Sequence, residues 1–224
     1  MIPLKDENPT NTFPFVTIAI IFANILVFWF ESRLGNGLDD TLMLFGAVPE
    51  RIIHPESPVV FITLLTSLFF HVDLGHLAGN MIYLWVFGNN IEDKLGHLKF
   101  IYFYLLCGVA ASLGFMVLVP NSTLPLIGAS GAISGILGAY FLSSPEAKIQ
   151  VLIPIFIFWK RIRIQAVWFL LFWVLLQFFY GTADFDLKEA AKYGGISWIA
   201  HVIGFIAGAL FFTIFLLKAA PKEE

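Results

Sequence analysis

The residues best suited to chemistry in this sequence are a serine and a histidine that lie far apart along the chain. Ser130 occurs in the run Gly128-Ala129-Ser130-Gly131, and His201 lies in a later apolar segment. At the start of a helix, the backbone N–H groups around such a serine and the positive end of the helix dipole can face a developing oxyanion. A serine hydroxyl is a weak nucleophile at neutral pH unless a base lies beside it. We therefore interpret Ser130 as a nucleophile and His201 as its base.

His76 and Asn80 can supply hydrogen-bond donors to the same site. Their i, i+4 spacing places them on one face of a helix. We predict that both side chains, together with the backbone N–H of Ser130, form an oxyanion hole. Asp73 precedes His76 and is favoured as a helix N-cap over a catalytic acid. A Ser-His dyad is therefore expected rather than a triad.

A metal site is the alternative interpretation of the two histidines. His76 and His201 could bind a metal ion together. This is disfavoured because Asn80 would be a poor zinc ligand and no third histidine, cysteine or carboxylate is well placed in the sequence. We expect neither a metal nor a cofactor.

Composition indicates that the chain resides in lipid. Of its 224 residues, 58% are hydrophobic and 13% are charged, which is not typical of a soluble domain. The small net charge of −3 and the lack of a basic stripe argue against nucleic acid as a partner. The single cysteine, Cys107, excludes an internal disulfide.

The elements that must position these residues are predicted membrane helices. A helix needs about 20 mainly apolar residues to cross the hydrocarbon core, and charged residues divide the chain into six such pieces. The predicted spans are 15–30, 74–90, 98–119, 126–142, 164–180 and 194–217. The residues before the first span are polar and mixed in charge, so we expect that span to be retained rather than removed as a signal peptide.

Three connecting regions are assigned from their composition. The stretches 57–70 and 149–159 are apolar but short, and each contains a proline. We assign both to the membrane interface or to connections covered by protein. Residues 31–58 are polar and are predicted to form a long external loop.

Lysine and arginine residues predict the orientation of the spans. With a cytoplasmic N-terminus, nine of the 13 fall on the cytoplasmic side and four on the external side. This predicts a multi-pass protein of the cell (inner) membrane with both termini in the cytoplasm. Because a helix rises about 1.5 Å per residue, the site residues His76, Asn80, Ser130 and His201 fall in one layer, within roughly two turns of the external face.

Glycines recur at helical spacing on the sides of the fourth and sixth spans that carry the candidate dyad. They are Gly128, Gly131, Gly135 and Gly138 in the fourth span and Gly204 and Gly208 in the sixth. Small residues at this spacing let helices approach closely in lipid. We expect this contact to bring Ser130 against His201.

These motifs resemble those of the rhomboid family of intramembrane serine proteases. The matching pieces are His76-x-x-x-Asn80, Gly128-Ala129-Ser130-Gly131, Ala200-His201-x-x-Gly204-x-x-x-Gly208, and the run from Phe87 to Asp93 followed by Leu95-Gly96-His97. The likeness covers about residues 60–215. It implies an all-α membrane protein in which residues 1–224 form a single rhomboid-like transmembrane domain, a bundle of six transmembrane helices.

The resemblance also implies a function. The chain would be an intramembrane serine endopeptidase whose Ser-His dyad lies in a water-filled cavity open to the external face. Its partners would be membrane lipid and transmembrane proteins, whose helices it would cut near their external ends after local unwinding. Family likeness further implies sideways access past the aromatic residues of the fifth span, beneath a cap formed by the loop Thr182 to Lys192. Those aromatic residues are Trp168, Phe169, Phe172 and Trp173.

The sequence departs from the family pattern at two places. Ser134 stands where many members have an aromatic residue that packs on the histidine ring, so another group must orient His201. Residues 31–58 lack the Trp-Arg pair found in many members, so the structure of this loop does not follow from the family. Asn24 and Gln177 are interpreted as interhelical hydrogen-bonding residues.

Two other functions compete with proteolysis. The first is a catalytically silent relative that binds transmembrane helices, and it is disfavoured because both Ser130 and His201 are present. The second is a small transporter, and it is disfavoured because the sequence shows no internal repeat.

Overall fold

The computed structural model describes residues 1–155, 158–183 and 197–217, and these are mostly helical. Single turns of 3-10 helix lie at Gly35–Gly37, Pro58–Ile62 and Ser67–Phe69. In chain order the elements are β1 (Ile2–Asp6), α1 (Phe15–Glu31), α2 (Leu38–Phe45), α3 (Pro49–Ile53), α4 (Thr63–Thr66), α5 (Leu74–Leu95), α6 (His97–Leu118), α7 (Ser130–Ser143), β2 (Lys148–Ile155), β3 (Phe158–Gln165), α8 (Ala166–Ala183) and α9 (Ser197–Leu217).

Helices α1, α5, α6, α7, α8 and α9 lie at the positions of the six predicted spans. By length and composition, two helices could each cross a membrane alone, and they are His97–Leu118 and Trp198–Leu217. A third crossing results if Pro58–Phe69 and Leu74–Leu95, which meet at 81°, are taken together. The helices Phe15–Glu31, Ser130–Ser143 and Ala166–Phe179 are apolar but shorter. The described residues therefore contain two to three membrane-capable helices by this measure.

The expectation of an all-α fold is wrong, because the chain also contains a three-stranded antiparallel sheet in the order β1-β2-β3. In the register, Lys148 is opposite Gln165, and Ile2 is opposite Leu152. Most of the stretch 149–159, which was expected to be an irregular connection, belongs to this sheet. The alternation Arg161-Ile162-Arg163-Ile164-Gln165 has the period of two that favours a strand, and it is the signal for this sheet in the sequence.

Buried polar contacts attach the sheet to the helices. Asp6 at the end of β1 accepts hydrogen bonds from Nδ2 of Asn90 at 2.6 Å and from the hydroxyl of Tyr140 at 2.8 Å. Burial raises the pKa of the Asp6 carboxyl above its ordinary value. The first strand is thereby fixed to α5 and α7.

A second buried carboxylate fixes the start of α1. Glu92 is fully buried and accepts hydrogen bonds from the backbone N–H groups of Val16 and Thr17 and from the Thr17 hydroxyl, at 2.6–2.9 Å. Nδ1 of His97 lies 2.6 Å from the same carboxylate. The first four N–H groups of a helix lack intrahelical partners, so Glu92 satisfies two of them and holds α1 against α5.

Residues 31–58 contain short helices, and the region is attached to the helical core at Glu31 and at Ala47. The carboxylate of Glu31, 2% exposed, accepts a hydrogen bond from the backbone N–H of His71 at 3.1 Å. Ala47 and Leu126 exchange backbone hydrogen bonds at 2.9 and 3.0 Å. The loop thus contacts the segments that lead into α5 and α7.

Helix α7 lies at the centre of the helical core. Its residues from Gly131 to Tyr140 are all buried, and it packs against α5, α6, α8 and α9. The helix begins at Ser130, four residues later than the predicted span. Gly128 has φ +110°, which is incompatible with helix, so the apolar run from Leu126 leads into α7 without belonging to it.

Candidate active site

A cavity of about 700 Å³ is lined by the residues that the sequence predicts to form the site. The side chains come from α2, α5, α6, α7, α8 and α9 and from the segments before α5 and α7. The lining includes Asp39, Asp73, His76, Asn80, Tyr83, Ser130, Ser134, Trp173, Gln177 and His201. All four members of the predicted dyad and oxyanion hole therefore line one cavity.

Ser130 is positioned by the backbone that precedes it. It is the first residue of α7, and the N–H of Gly128 donates to the carbonyl of Ser67 at 2.9 Å. A Cβ added at Gly128 would lie 2.7 Å from Cε1 and 2.8 Å from Nε2 of His76. Only glycine fits at this position, because φ is positive and because the imidazole of His76 leaves no space for a Cβ. Gly128 thus lets the segment before α7 approach the side chains of His76 and Asn80 on α5.

The positions of His76 and Asn80 follow from the start of α5. Asp73 caps this helix, as predicted, because its carboxylate accepts from the N–H of His76 at 2.8 Å. The His76 ring packs edge-on against His71, with 5.0 Å between ring centroids. Asn80 is 7% exposed, and its Nδ2 has no hydrogen-bond partner among the described residues. A buried amide donor of this kind can serve a ligand at the cavity.

Glycines allow α7 and α9 to approach each other closely. A Cβ at Gly204 would overlap the carbonyl oxygen of Gly131, and one at Gly208 would overlap that of Gly135. A Cβ at Gly138 would overlap the carbonyl oxygen of Phe205. The two backbones are therefore in direct contact along the helical turns that follow Ser130 in α7 and His201 in α9.

Two side chains of α8 contact the His201 ring. Nδ1 of His201 lies 2.8 Å from Oε1 of Gln177. The Trp173 ring packs at 6.0 Å between centroids, tilted by 38°. Nε2 of His201 is buried, and no hydrogen bond to it occurs within the described ranges.

Ser134 has a different role from the aromatic residue that many members of the family have at its position. Its hydroxyl donates to the carbonyl of Ser130 at 2.7 Å, and the residue is 1% exposed. The close approach of Gly204 leaves little space, since a Cβ there would lie 3.2 Å from that of Ser134. The aromatic contact with His201 comes instead from Trp173 of α8.

Gln177 makes the interhelical hydrogen bond predicted for it, and its partner is His201 on α9. The sequence did not indicate that partner, nor the contact of Trp173 with His201 or that of His71 with His76. Trp173 and Gln177 are spaced i, i+4, so they share a helix face. That spacing was the available signal for Gln177, whereas nothing in the sequence pairs His71 with His76.

The predicted access route and cap are described in part. Of the four aromatic residues named for the route, Trp168 and Phe172 are exposed, Phe169 is buried, and Trp173 contacts His201. The predicted cap runs from Thr182 to Lys192 and lies outside the described residues from 184 onwards. Across residues 1–155, 158–183 and 197–217, no group of three His, Cys, Asp or Glu residues could hold a metal ion.

Comparison with known proteins places these features in one family. A sequence profile described as Rhomboid domain matches residues 59–218. The chain is 34% identical over 135 residues to "Rhomboid protease GluP" of Bacillus subtilis (strain 168), which covers 60% of this chain and 25% of that protein. It is 33% identical over 153 residues to "Presenilin-associated rhomboid-like protein, mitochondrial" of Homo sapiens, covering 66% of this chain and 38% of that protein.

A plant relative matches over a longer range. "Rhomboid-like protein 11, chloroplastic" of Arabidopsis thaliana is 25% identical over 204 residues, which is 88% of this chain and 67% of that protein. The chain spans only 25% to 44% of the length of the other curated relatives that it matches here.

Proposed function

Because the chain belongs to the rhomboid family, we propose that it is an intramembrane serine endopeptidase that uses Ser130 and His201 to cut transmembrane helices of other proteins near their external ends. One observation carries the proposal. Ser130, His201, His76 and Asn80 come from three separate helices and line the same cavity of about 700 Å³. A nucleophile, a base and two donors are the groups that acyl transfer requires.

The chemistry assigned to these residues is attack by the serine hydroxyl, with the histidine as general base. Oγ of Ser130 attacks the substrate carbonyl carbon while its proton passes to Nε2 of His201. The charge that develops on the carbonyl oxygen is stabilised by the N–H of Ser130 and by donors of His76 and Asn80. The imidazolium then protonates the leaving amine as the C–N bond breaks, which leaves an ester on Ser130. Water, deprotonated by His201, hydrolyses that ester and restores the serine.

The proposed substrate class rests on the proposed location of the site in the membrane. A peptide bond within a helix has its N–H and C=O occupied by hydrogen bonds, so the substrate must unwind before Ser130 can attack. We assign cleavage to the external end of the substrate helix, where water is close. Access past α8 and a cap formed by residues 182–192 are part of the proposal by family likeness.

Topology completes the proposed function. We assign six crossings to α1, α5, α6, α7, α8 and α9, in a single domain over residues 1–224. Both termini lie in the cytoplasm of this arrangement, residues 31–58 form an external loop, and the cavity opens outward from the cell (inner) membrane. The excess of basic residues on the cytoplasmic side supports this orientation.

A second candidate function is a non-catalytic relative that binds transmembrane helices. The observation that favours it is Nε2 of His201, for which the described part of the chain provides no hydrogen bond. Catalytic hydrogen bonds are often long before substrate binds, so this observation does not decide between the two candidates. Activity does.

Ser130→Ala in proteoliposomes tests the proposal. We expect cleavage of a reporter transmembrane helix to fall by at least about 10³-fold, because the nucleophile is lost. Ser143→Ala is the matched control, since it makes the same change at the other end of α7, and we expect it to cleave at the wild-type rate. Cleavage that survives in Ser130→Ala would overturn the assignment of the nucleophile, and an inactive wild-type protein that still binds the helix would favour the second candidate.

A further inference from the structure

The base assigned to His201 requires one tautomer of its imidazole. Nε2 must carry a lone pair in order to accept the Ser130 proton, so the hydrogen of the neutral ring must sit on Nδ1. The partner of Nδ1 selects between the two tautomers, because an accepting partner favours the N–H form. A dyad without a third residue leaves this choice to the solvent.

Here the partner of Nδ1 is the amide oxygen of Gln177, at 2.8 Å. The amide nitrogen of the same side chain lies 3.4 Å from the carbonyl oxygen of Trp173, one turn earlier in α8. That second contact turns the nitrogen away from His201 and the oxygen towards it. An amide oxygen can only accept hydrogen bonds, so Nδ1 is the donor and Nε2 keeps its lone pair.

We propose that Gln177 is a positioning residue of this site, which holds His201 in the tautomer and orientation that let it act as a base towards Ser130. This inference rests on the proposed function. Gln177 does not touch the reacting atoms, and it acts through the imidazole.

Trp173 restrains the same ring from a second direction. Its indole packs at 6.0 Å from the imidazole and at 6.3 Å from Phe205 on α9. With the amide on Nδ1 and the indole against the ring, rotation about both side-chain torsions of His201 is restricted. Two residues of α8 thereby replace the restraint that an aromatic residue at position 134 would have supplied from α7.

A neutral orienting group suits this location. A carboxylate in the same position would hold the same tautomer and would also stabilise the imidazolium. It would, however, place a negative charge inside a membrane helix, where an ionised side chain is costly. An amide supplies the hydrogen bond without that charge. We therefore expect its contribution to be smaller than that of the aspartate in a soluble triad.

The test is Gln177→Met, which keeps the length of the side chain and removes the acceptor. We expect kcat to fall about ten- to hundredfold with KM within about twofold of wild type. The rate at which a fluorophosphonate labels Ser130 should fall in parallel, because labelling needs the same base but no helical substrate. Gln177→Glu keeps an accepting oxygen at the same reach, and we expect both rates to recover to within about threefold of wild type.

Gln165→Met is the matched control, because this glutamine is exposed at the end of β3 and lies away from the cavity. Its kcat should equal that of wild type. A wild-type kcat in Gln177→Met would overturn the inference, and so would a change confined to KM or a Gln177→Glu variant as slow as Gln177→Met. None of these results would affect the proposed protease, which is tested separately by the activity of the wild-type protein and of Ser130→Ala.

Discussion

Helices α7 and α8 both supply side chains to the candidate active site, but they are packed differently. In α7, every residue from Gly131 to Tyr140 is buried. In α8, the fully buried side chains among those described belong to its first turns, where Phe169 is 1% exposed, whereas Leu175 is 64% exposed. The candidate nucleophile therefore lies on a helix that is buried along most of its length. Trp173 and Gln177, which contact His201 from α8, lie after the buried first turns of that helix.

This difference means that the distance between the dyad residues and the orientation of the imidazole depend on different helices. The distance between the helices that carry Ser130 and His201 depends on the glycine contact between α7 and α9. The orientation of the imidazole depends on Gln177 and Trp173 of α8. Substitutions in the two regions should therefore have different effects, and the following predictions test this from the largest expected effect to the smallest.

Gly208→Ala should be the most damaging of these changes. The new Cβ would overlap the carbonyl oxygen and Cα of Gly135, and backbone atoms cannot move aside as a flexible side chain can. We expect the free energy of unfolding to fall by about 3 kcal/mol, as for an overpacked core. Unfolding in mixed detergent micelles measures it. Gly79→Ala is the control, since a Cβ there meets nothing within 4 Å, and equal losses in both variants would contradict the direct backbone contact.

Phe169→Ala tests whether α8 is anchored at its first turns. The ring packs on Phe87 at 5.9 Å and on Tyr83 at 6.2 Å. Its removal should lower the free energy of unfolding by about 2 kcal/mol through lost packing, less than in a water-soluble core because lipid solvates apolar groups well. Leu175→Ala should change it by less than about 0.5 kcal/mol. A larger loss from Leu175→Ala than from Phe169→Ala would show that the exposed end of α8 is the anchored one.

Asp6→Asn should change the pH dependence of stability, which is the smallest of the three effects. Burial raises the pKa of Asp6 in the folded chain, so the folded state binds the proton more tightly than the unfolded state. Stability from this group is present at low pH and is lost as pH rises through the raised pKa. Asp6→Asn should remove that decline. Unfolding curves from pH 3.5 to 7 would detect it, and a wild-type profile in the variant would exclude Asp6 as the source.

Much of the site could be predicted from the sequence because its signals are local. The i, i+4 spacing of His76 and Asn80, the glycines beside Ser130 and those after His201 each indicate a helix face. In lipid, polar residues are few, so each one is informative. The positions of the long helices followed from apolar runs in the same way.

The remaining features depend on contacts between distant segments. The sheet was missed because β1 pairs with β2 some 145 residues later, and because β1 lies in a terminal stretch, residues 1–13, that is polar and mixed in charge as a whole. The start of α7 was placed too early because an apolar run does not distinguish helix from the extended segment that pairs Leu126 with Ala47. Gln177 meets His201 only through the packing of α8 on α9.

Contact between bare backbones makes the spacing of α7 and α9 independent of side-chain size elsewhere. The distance between their axes is set by the radii of carbonyl oxygens and Cα atoms at Gly131, Gly135, Gly204 and Gly208. Leucine, isoleucine and phenylalanine residues on the perimeter can therefore be substituted for one another to suit a bilayer of different thickness or fluidity, and the distance between the two axes does not change. The outer surface of the protein can diverge in this way while the axial separation of its two central helices stays constant.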